Sequence, residues 1–173
     1  MRVAVTGTPG TGKTTAVDLV ETDRPVVHLN DLVREEALHD GVDEERDSLV
    51  ADLDALEDRV PGDALVESHL AHHLDAERVV VLRCAPVEIE RRLRERGEPD
   101  ATVVENAESE ALDVVLAEAV RRHGRDAVYE VDTTNLEPSA VADAIEAVLD
   151  GERDPSAGTV EFTDYLAPGE DDG

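Results

Sequence analysis

Apolar residues along this chain gather into five short runs: Val3–Thr6, Pro25–Leu29, Ala64–Val66, Val79–Leu82 and Ala127–Val131. Each run stops at a glycine, a polar residue or a charge. Apolar side chains at odd and even positions alike predict strands buried on both faces. Between the runs, apolar positions recur at spacings of three and four, which predicts helices near 13–21, 30–38, 45–59, 86–96, 104–123 and 138–149. Strands alternating with helices make a parallel sheet, and right-handed crossovers bring the strand C-termini to one edge. The expectation is one α/β domain over 1–150, a five-stranded parallel sheet with helices on both faces. From Gly151 the pattern fades into an acidic, Pro- and Gly-rich segment, GERDPSAG…APGEDDG. Residues 151–173 are therefore expected to form a disordered, solvated tail, in which Val160-Glu161-Phe162 is the stretch apolar enough to dock.

The first strand runs into Gly7-Thr8-Pro9-Gly10-Thr11-Gly12-Lys13-Thr14, which fills every position of the phosphate-loop pattern G-x-x-x-x-G-K-[ST]. Strand before and helix after are the context that the motif needs. Gly10 and Gly12 let the backbone curl so that N–H groups point at phosphate oxygens, and the helix that follows adds the positive end of its dipole. Lys13 reaches the β- and γ-phosphates as a compact charge, and the Thr14 hydroxyl is a ligand for Mg2+. The chemistry implied is nucleoside triphosphate binding.

Composition changes the picture in two ways. The net charge is −27, which excludes binding to bare DNA or RNA and to anionic membrane surfaces by simple charge attraction. Fifteen of the sixteen basic residues are arginine, and the single lysine is Lys13. An acidic, lysine-poor surface suits a salt-saturated cytoplasm, where the Debye length falls to about 3 Å and self-repulsion is screened. With no Trp, one Phe and two Tyr, the core must be built from Val, Leu, Ala and Ile. Lone Cys84 allows no internal disulfide, and no signal-peptide pattern or membrane-length apolar run occurs, so a soluble, cytoplasmic protein is expected.

A carboxylate at the end of a neighbouring strand holds Mg2+ through water in many phosphotransfer sites. Here Ala64-Leu65-Val66 ends at Glu67, followed by Ser68-His69. His69, His72 and His73 have a spacing that suits zinc on a helix, but no further ligand run accompanies them, so His72 and His73 are read as exposed helix histidines. His69 stands apart through its closeness to Glu67. Farther on, Arg83, Arg91, Arg92, Arg94 and Arg96 crowd together in an otherwise acidic chain. Arginine forks phosphate and stays charged, so Arg96 and Arg92 are assigned to phosphate, while pairing with Glu88, Glu90 and Glu95 accounts for others, Arg94 among them. Gly97 ends that helix and Glu98-Pro99-Asp100 opens a loop, as a mobile lid carrying Arg96 would.

Together these residues resemble the adenylate kinase 6 family, the nuclear-type adenylate kinases and ribosome-assembly ATPases, and especially its archaeal branch. Thr6 to Thr15 is similar to that family's phosphate loop. Asp31-Leu32-Val33-Arg34-Glu35-Glu36 with Asp40-Gly41-Val42-Asp43-Glu44-Glu45 is similar to its monophosphate-binding segment. Glu67-Ser68-His69 stands where the family has Asp-x-His, and Arg92-Leu93-x-x-Arg96-Gly97 matches its lid, although Glu98 follows where the family has Tyr. The resemblance covers residues 1–150 and implies a P-loop NTPase fold of the nucleoside monophosphate kinase type, with a monophosphate arm near 28–51 and a lid near 95–105. It implies ATP binding by Gly10, Gly12, Lys13, Thr14, Thr15 and Arg96, with Mg2+ on Thr14 and, through water, on Glu67. Asp31 and Arg34 would hold AMP, Thr133-Thr134-Asn135 would lie near the adenine, and Lys13, Arg96 and His69 would serve catalysis.

The activity implied is ATP:AMP phosphotransfer with ATPase activity, assisting small-subunit rRNA maturation. The alternative is an assembly ATPase whose nucleotide state controls binding of a small-subunit ribosomal protein on the pre-ribosome. An acidic surface suits such a basic partner. A GTPase switch is disfavoured, because the chain has no Asn-Lys-x-Asp or Asp-x-x-Gly motif. Shikimate- and gluconate-type kinases share the core, but the Asp31–Glu45 segment does not suggest them.

Overall fold

A computed structural model describes residues 1–32, 34 and 53–166. Five strands, β1 (Val3–Gly7), β2 (Val26–His28), β3 (Leu65–Glu67), β4 (Arg78–Arg83) and β5 (Val128–Asp132), form one sheet in the order β2-β3-β1-β4-β5. Every neighbouring pair is parallel, and Val3 of β1 stands opposite both Leu65 of β3 and Arg78 of β4. Helices connect the strands: α1 (Lys13–Asp18), α2 (helical at 29–32 and 34), α3 (helical over 53–59), α4 (Pro86–Glu95), α5 (Asp100–Ala111), α6 (Val114–His123) and α7 (Pro138–Leu149). This is a P-loop NTPase-like fold.

The two-residue period of the strands divides the core. Val3 and Val5 of β1, with Val80, Leu82 and Val131, meet Ala16 and Val17 of α1 and Val141, Ile145 and Val148 of α7. Ala4, Val66, Val79, Val81 and Val128 point the other way, against Leu56 and Val60 at the end of α3 and Leu116 and Ala119 of α6. Each large aliphatic side chain buried this way contributes about 1.5–3 kcal/mol, which compensates for the scarcity of aromatics. Central β1 is flanked by β3 on one side and β4 on the other. The crevice beyond its C-terminal end is therefore a topological switch point, where such sheets bind ligands.

All five expected strands are present within a residue or two. The expected helix over 104–123 is two helices, because the chain breaks at Leu112-Asp113. Asp113 takes a left-handed conformation (φ 58°) and sends Oδ1 to Arg83 Nη2 at 2.5 Å, a long-range pairing that helical periodicity cannot register. α1 closes at Asp18 rather than near 21, and Leu19 caps it. Helix α5 starts at Asp100 behind Pro99, so the loop after Arg96 spans only 96–99. Most of the expected monophosphate arm, residues 33 and 35–52, lies outside the described residues.

The expected solvated tail is docked over 153–166, which corrects the reading from composition. β5 is an edge strand whose free backbone groups need partners. Ser156 N–H donates to Val128 O at 3.0 Å, and Ser156 Oγ accepts from Glu130 N at 3.0 Å. Buried Glu130 accepts the N–H groups of Thr159 and Val160 at 2.7 and 3.3 Å. Phe162 lies 5.4 Å under the Arg83 guanidinium, and Tyr165 donates its hydroxyl to Glu90 of α4. Residues 167–173 lie outside the described ones.

Candidate active site

The loop between β1 and α1 curves back over the C-terminal ends of β1 and β4. Gly12, the residue before α1, has φ 87°, a left-handed conformation that costs a residue with Cβ about 1–2 kcal/mol. Gly10 (φ 98°) lies against α4, where an added Cβ would stand 3.3 Å from Ile89 and Leu93 atoms. Thr8 O collects three donors: Thr11 N at 3.2 Å, Thr11 Oγ1 at 2.9 Å and Lys13 Nζ at 3.2 Å.

Lys13 is 8% exposed. Burial pushes its pKa down to about 8, with Glu67 pulling it back up and Arg96 adding to the depression. Such a lysine gains from the arrival of a polyanion, which restores its full charge. Beside it, Glu67 ends β3 at 3% exposure and accepts from Thr14 Oγ1 at 3.2 Å. Glu67 Oε1 faces His28 Nδ1 at 2.6 Å, and His28 Nε2 faces Asp18 Oδ1 at 3.1 Å. Partial burial works against the charge of His28, but hydrogen bonding to Glu67 and the fields of Glu67, Asp18 and Asp31 outweigh it and raise its pKa. The hydroxyl of Thr14 and the carboxylate of Glu67 are adjacent hard oxygen donors. They fit Mg2+, which prefers such ligands and keeps several waters.

These groups line one cleft of about 460 Å3 with Pro9, Gly10, Gly12, Thr15, Asn30, His69 and Arg96. His69 is half-buried, and burial, then the charge of Lys13, lowers its pKa, so its imidazole is neutral near pH 7. Arg96, at the C-terminus of α4, enters the cleft beside Lys13. Arg92 takes a different part from the phosphate contact expected of it. Its guanidinium donates to Gly10 O at 3.2 Å and Thr133 O at 3.3 Å, so it ties α4 to the loop from outside. Arg91 and Arg94 pair with Glu88, Glu95 and Glu90 on the surface of α4. Arg83 is buried among Glu110, Asp113 and Glu130, away from the cleft.

The remaining expected site residues stand outside the cleft lining. Arg34 and Asp31 are exposed on α2 and pair with each other at 3.3 Å. Thr133 Oγ1 donates to Arg83 O at 2.8 Å and Thr134 Oγ1 to Asp132 at 2.6 Å, so both hydroxyls shape the loop after β5. Asn135 is exposed. His72 corrects the expectation of an exposed histidine: it is 1% exposed, with Nδ1 2.7 Å from Thr6 Oγ1 and Nε2 2.8 Å from Glu118 Oε1. Burial, partly offset by Glu118, pushes its pKa down to about 4, the mark of a neutral ring. His73 and Glu118 complete with it a group whose ligand atoms lie within 4.8 Å, but both His72 nitrogens already have protein partners.

Three residues escaped the sequence reading. Asn30 reaches the cleft and accepts from Ser68 Oγ at 3.0 Å. His28 holds the far oxygen of Glu67, and Glu110 holds Thr8. None belongs to a motif; only the fold brings them close. A larger cleft, about 620 Å3, lies at the N-terminal ends of the strands, around Arg2 and Glu77. It lacks the phosphate loop, and Arg2 is already bound to Glu57 and to the carbonyls of Val60, Pro61 and Asp75. Volume alone therefore does not locate the site. No described helix is long and apolar enough to cross a membrane.

Residues 3–113 match the AAA domain family. A protein of the halophile Natronomonas pharaonis named "Putative adenylate kinase" is 68% identical over 168 residues, covering 96% of this chain and 100% of the relative. A relative of the same name from the halophile Halobacterium salinarum is 61% identical, with 96% and 100% covered, and one from Methanosarcina acetivorans is 40% identical, with 87% of each covered. Among solved structures, shikimate kinase from Bacteroides thetaiotaomicron superposes with a TM-score of 0.54 at 16% identity, over 87% of this chain and 98% of that one. That likeness concerns the fold.

Proposed function

This chain belongs to the AAA domain family and is similar to the archaeal relatives just described, and on that premise we propose that it transfers the γ-phosphoryl group of ATP to AMP. One observation carries the reading: Lys13, Thr14, Glu67 and Arg96 converge on a single cleft with the curled loop. The phosphates of ATP lie along the loop, with Lys13 leaving Thr8 O for the β- and γ-oxygens. A 5′-phosphate oxygen of AMP attacks the γ-phosphorus as the bond to the β–γ bridging oxygen breaks, and ADP results on both sides. Arg96 neutralises charge on the equatorial oxygens, and positioning with electrostatics supplies the rate. Thr14 and, through water, Glu67 would hold Mg2+, which would shield the phosphate charge. Neutral His69 donates its ring N–H to the acceptor phosphate, or accepts from a water with its other nitrogen.

Arg34 holds the AMP phosphate, Asp31 belongs with it to the AMP site, and the loop at Thr133-Thr134-Asn135 borders the adenine. ATPase activity follows when water takes the place of AMP. The adenylate kinase 6 subfamily is supported by the Glu67-Ser68-His69 and Asp31–Glu45 segments. The net charge of −27 favours a second reading, in which nucleotide state governs association with a basic small-subunit ribosomal protein during rRNA maturation. ADP formation from ATP plus AMP at molar KCl separates the two. ATP hydrolysis without AMP-dependent ADP would remove the kinase reading. A ribosomal partner that leaves the ATPase rate unchanged would remove the second.

A further inference from the structure

The phosphate loop is held from outside the cleft by a residue 102 positions away in the chain. Thr8 Oγ1 donates to Glu110 Oε1 at 2.7 Å, and both side chains are at most 2% exposed. The other oxygen of Glu110 accepts Arg83 Nε at 2.8 Å and Cys84 N–H at 3.0 Å. Its three donors are thus fixed groups from β1's loop and from the end of β4, with Arg83 as its cationic partner. Thr8 in turn offers the carbonyl on which Thr11 and Lys13 converge. A shift of Thr8 moves the acceptor that sets the loop's curl and the resting place of Lys13. Glu110 belongs to α5, the helix that begins four residues beyond Arg96.

From this geometry we propose that Glu110 is a positioning residue. It fixes the phosphate loop in its ATP-binding curl through Thr8, and it makes that curl depend on the seating of α5, whose other end adjoins the Arg96 turn. A buried carboxylate with its lone pairs directed at fixed donors is a rigid anchor, which a serine or threonine in a free loop lacks. The proposal rests on the reading that this loop binds ATP. It goes beyond that reading in assigning the loop's shape to α5.

The test is ATP affinity by titration calorimetry at molar KCl on the full chain, with Thr8→Val, Thr8→Ser, Glu110→Gln and the double variant Thr8→Val/Glu110→Gln. Unfolding curves confirm that each variant is folded at the titration temperature. Thr8→Val is expected to weaken ATP binding about tenfold, and Thr8→Ser, which keeps the hydroxyl, to restore it to within about twofold. The double variant should bind ATP no worse than the weaker single one, since both changes act through the same Thr8–Glu110 contact. A folded Thr8→Val that binds ATP like the unaltered chain overturns the proposal, as do fully multiplicative losses in the double variant. A merely structural role would lower the unfolding midpoint and leave affinity unmoved. If Glu110→Gln does not fold, the Thr8 pair still decides. If the unaltered chain binds no ATP, the nucleotide reading fails instead.

Discussion

Acid should destabilise this protein through His72 by an amount that the structure sets. The ring is buried among Thr6 of β1, Glu118 of α6 and the neighbouring His73, and it is held neutral with a pKa near 4. In the unfolded chain the same ring titrates near 6.5. The folded pKa is depressed, so the unfolded state takes up the proton first. Stability is therefore complete above about pH 7.5, falls as pH drops through 6.5, and stops falling on this account below 4. The full difference amounts to about 3 kcal/mol, of which about 2 kcal/mol is lost by pH 5. Other groups titrate over the same range, so the measurement is a difference. Urea unfolding of the unaltered chain and of His72→Gln, at fixed molar KCl, would be compared at pH 7.5 and pH 5. The variant costs about 1–3 kcal/mol at pH 7.5, because the Thr6 hydroxyl and Glu118 lose their partner. At pH 5 that gap should shrink by about 2 kcal/mol or change sign. A gap that stays constant between the two pH values would refute a neutral, buried His72.

Other outcomes follow from the same geometry. Arg83→Met leaves Glu110, Asp113 and Glu130 facing one another without their cation and should cost about 3–5 kcal/mol in urea unfolding; a loss below about 1 kcal/mol would contradict the network. Gly12→Ala has space, with Arg92 Nη1 4.0 Å from the added Cβ, so backbone strain alone should cost about 1–2 kcal/mol; an unchanged unfolding midpoint would show that the loop does not need φ 87°. Lowering KCl from molar to about 0.1 M lengthens the Debye length to about 10 Å and should lower the unfolding temperature of a chain with net charge −27; a rise would contradict the view that salt screens self-repulsion.

Much of the fold could be read from the chain because both of its signals are local. Val3, Ala4 and Val5 are apolar in succession since β1 is buried on two faces, and the phosphate-loop glycines carry their conformations with them. The cleft's Lys13, Thr14, Glu67 and Arg96 are legible for the same reason, since each sits at a strand end, a helix start or a helix end, and His69 follows two residues after β3. What was hidden depends on distant pairing. Asp113 breaks a helix to reach Arg83, thirty positions back, and Glu130 gathers the backbone N–H of Thr159, which composition assigns to solvent. The absence of a further ligand run suggests an exposed His72, whereas the short 3-10 turn at Ala71–His73 places it between β1 and α6. Charge alone suggests Arg92 as a phosphate ligand, whereas the fold points its donors at the carbonyls of Gly10 and Thr133.

The central claim is transfer of a phosphoryl group to AMP within the cleft that holds Lys13. Following the label of γ-32P ATP, with AMP present at molar KCl and Mg2+, tests it most directly, with Lys13→Ala as the blank. The account predicts label in the β-position of ADP, dependent on AMP and lost in the variant. Label appearing only as inorganic phosphate, at a rate that AMP does not change, would contradict it.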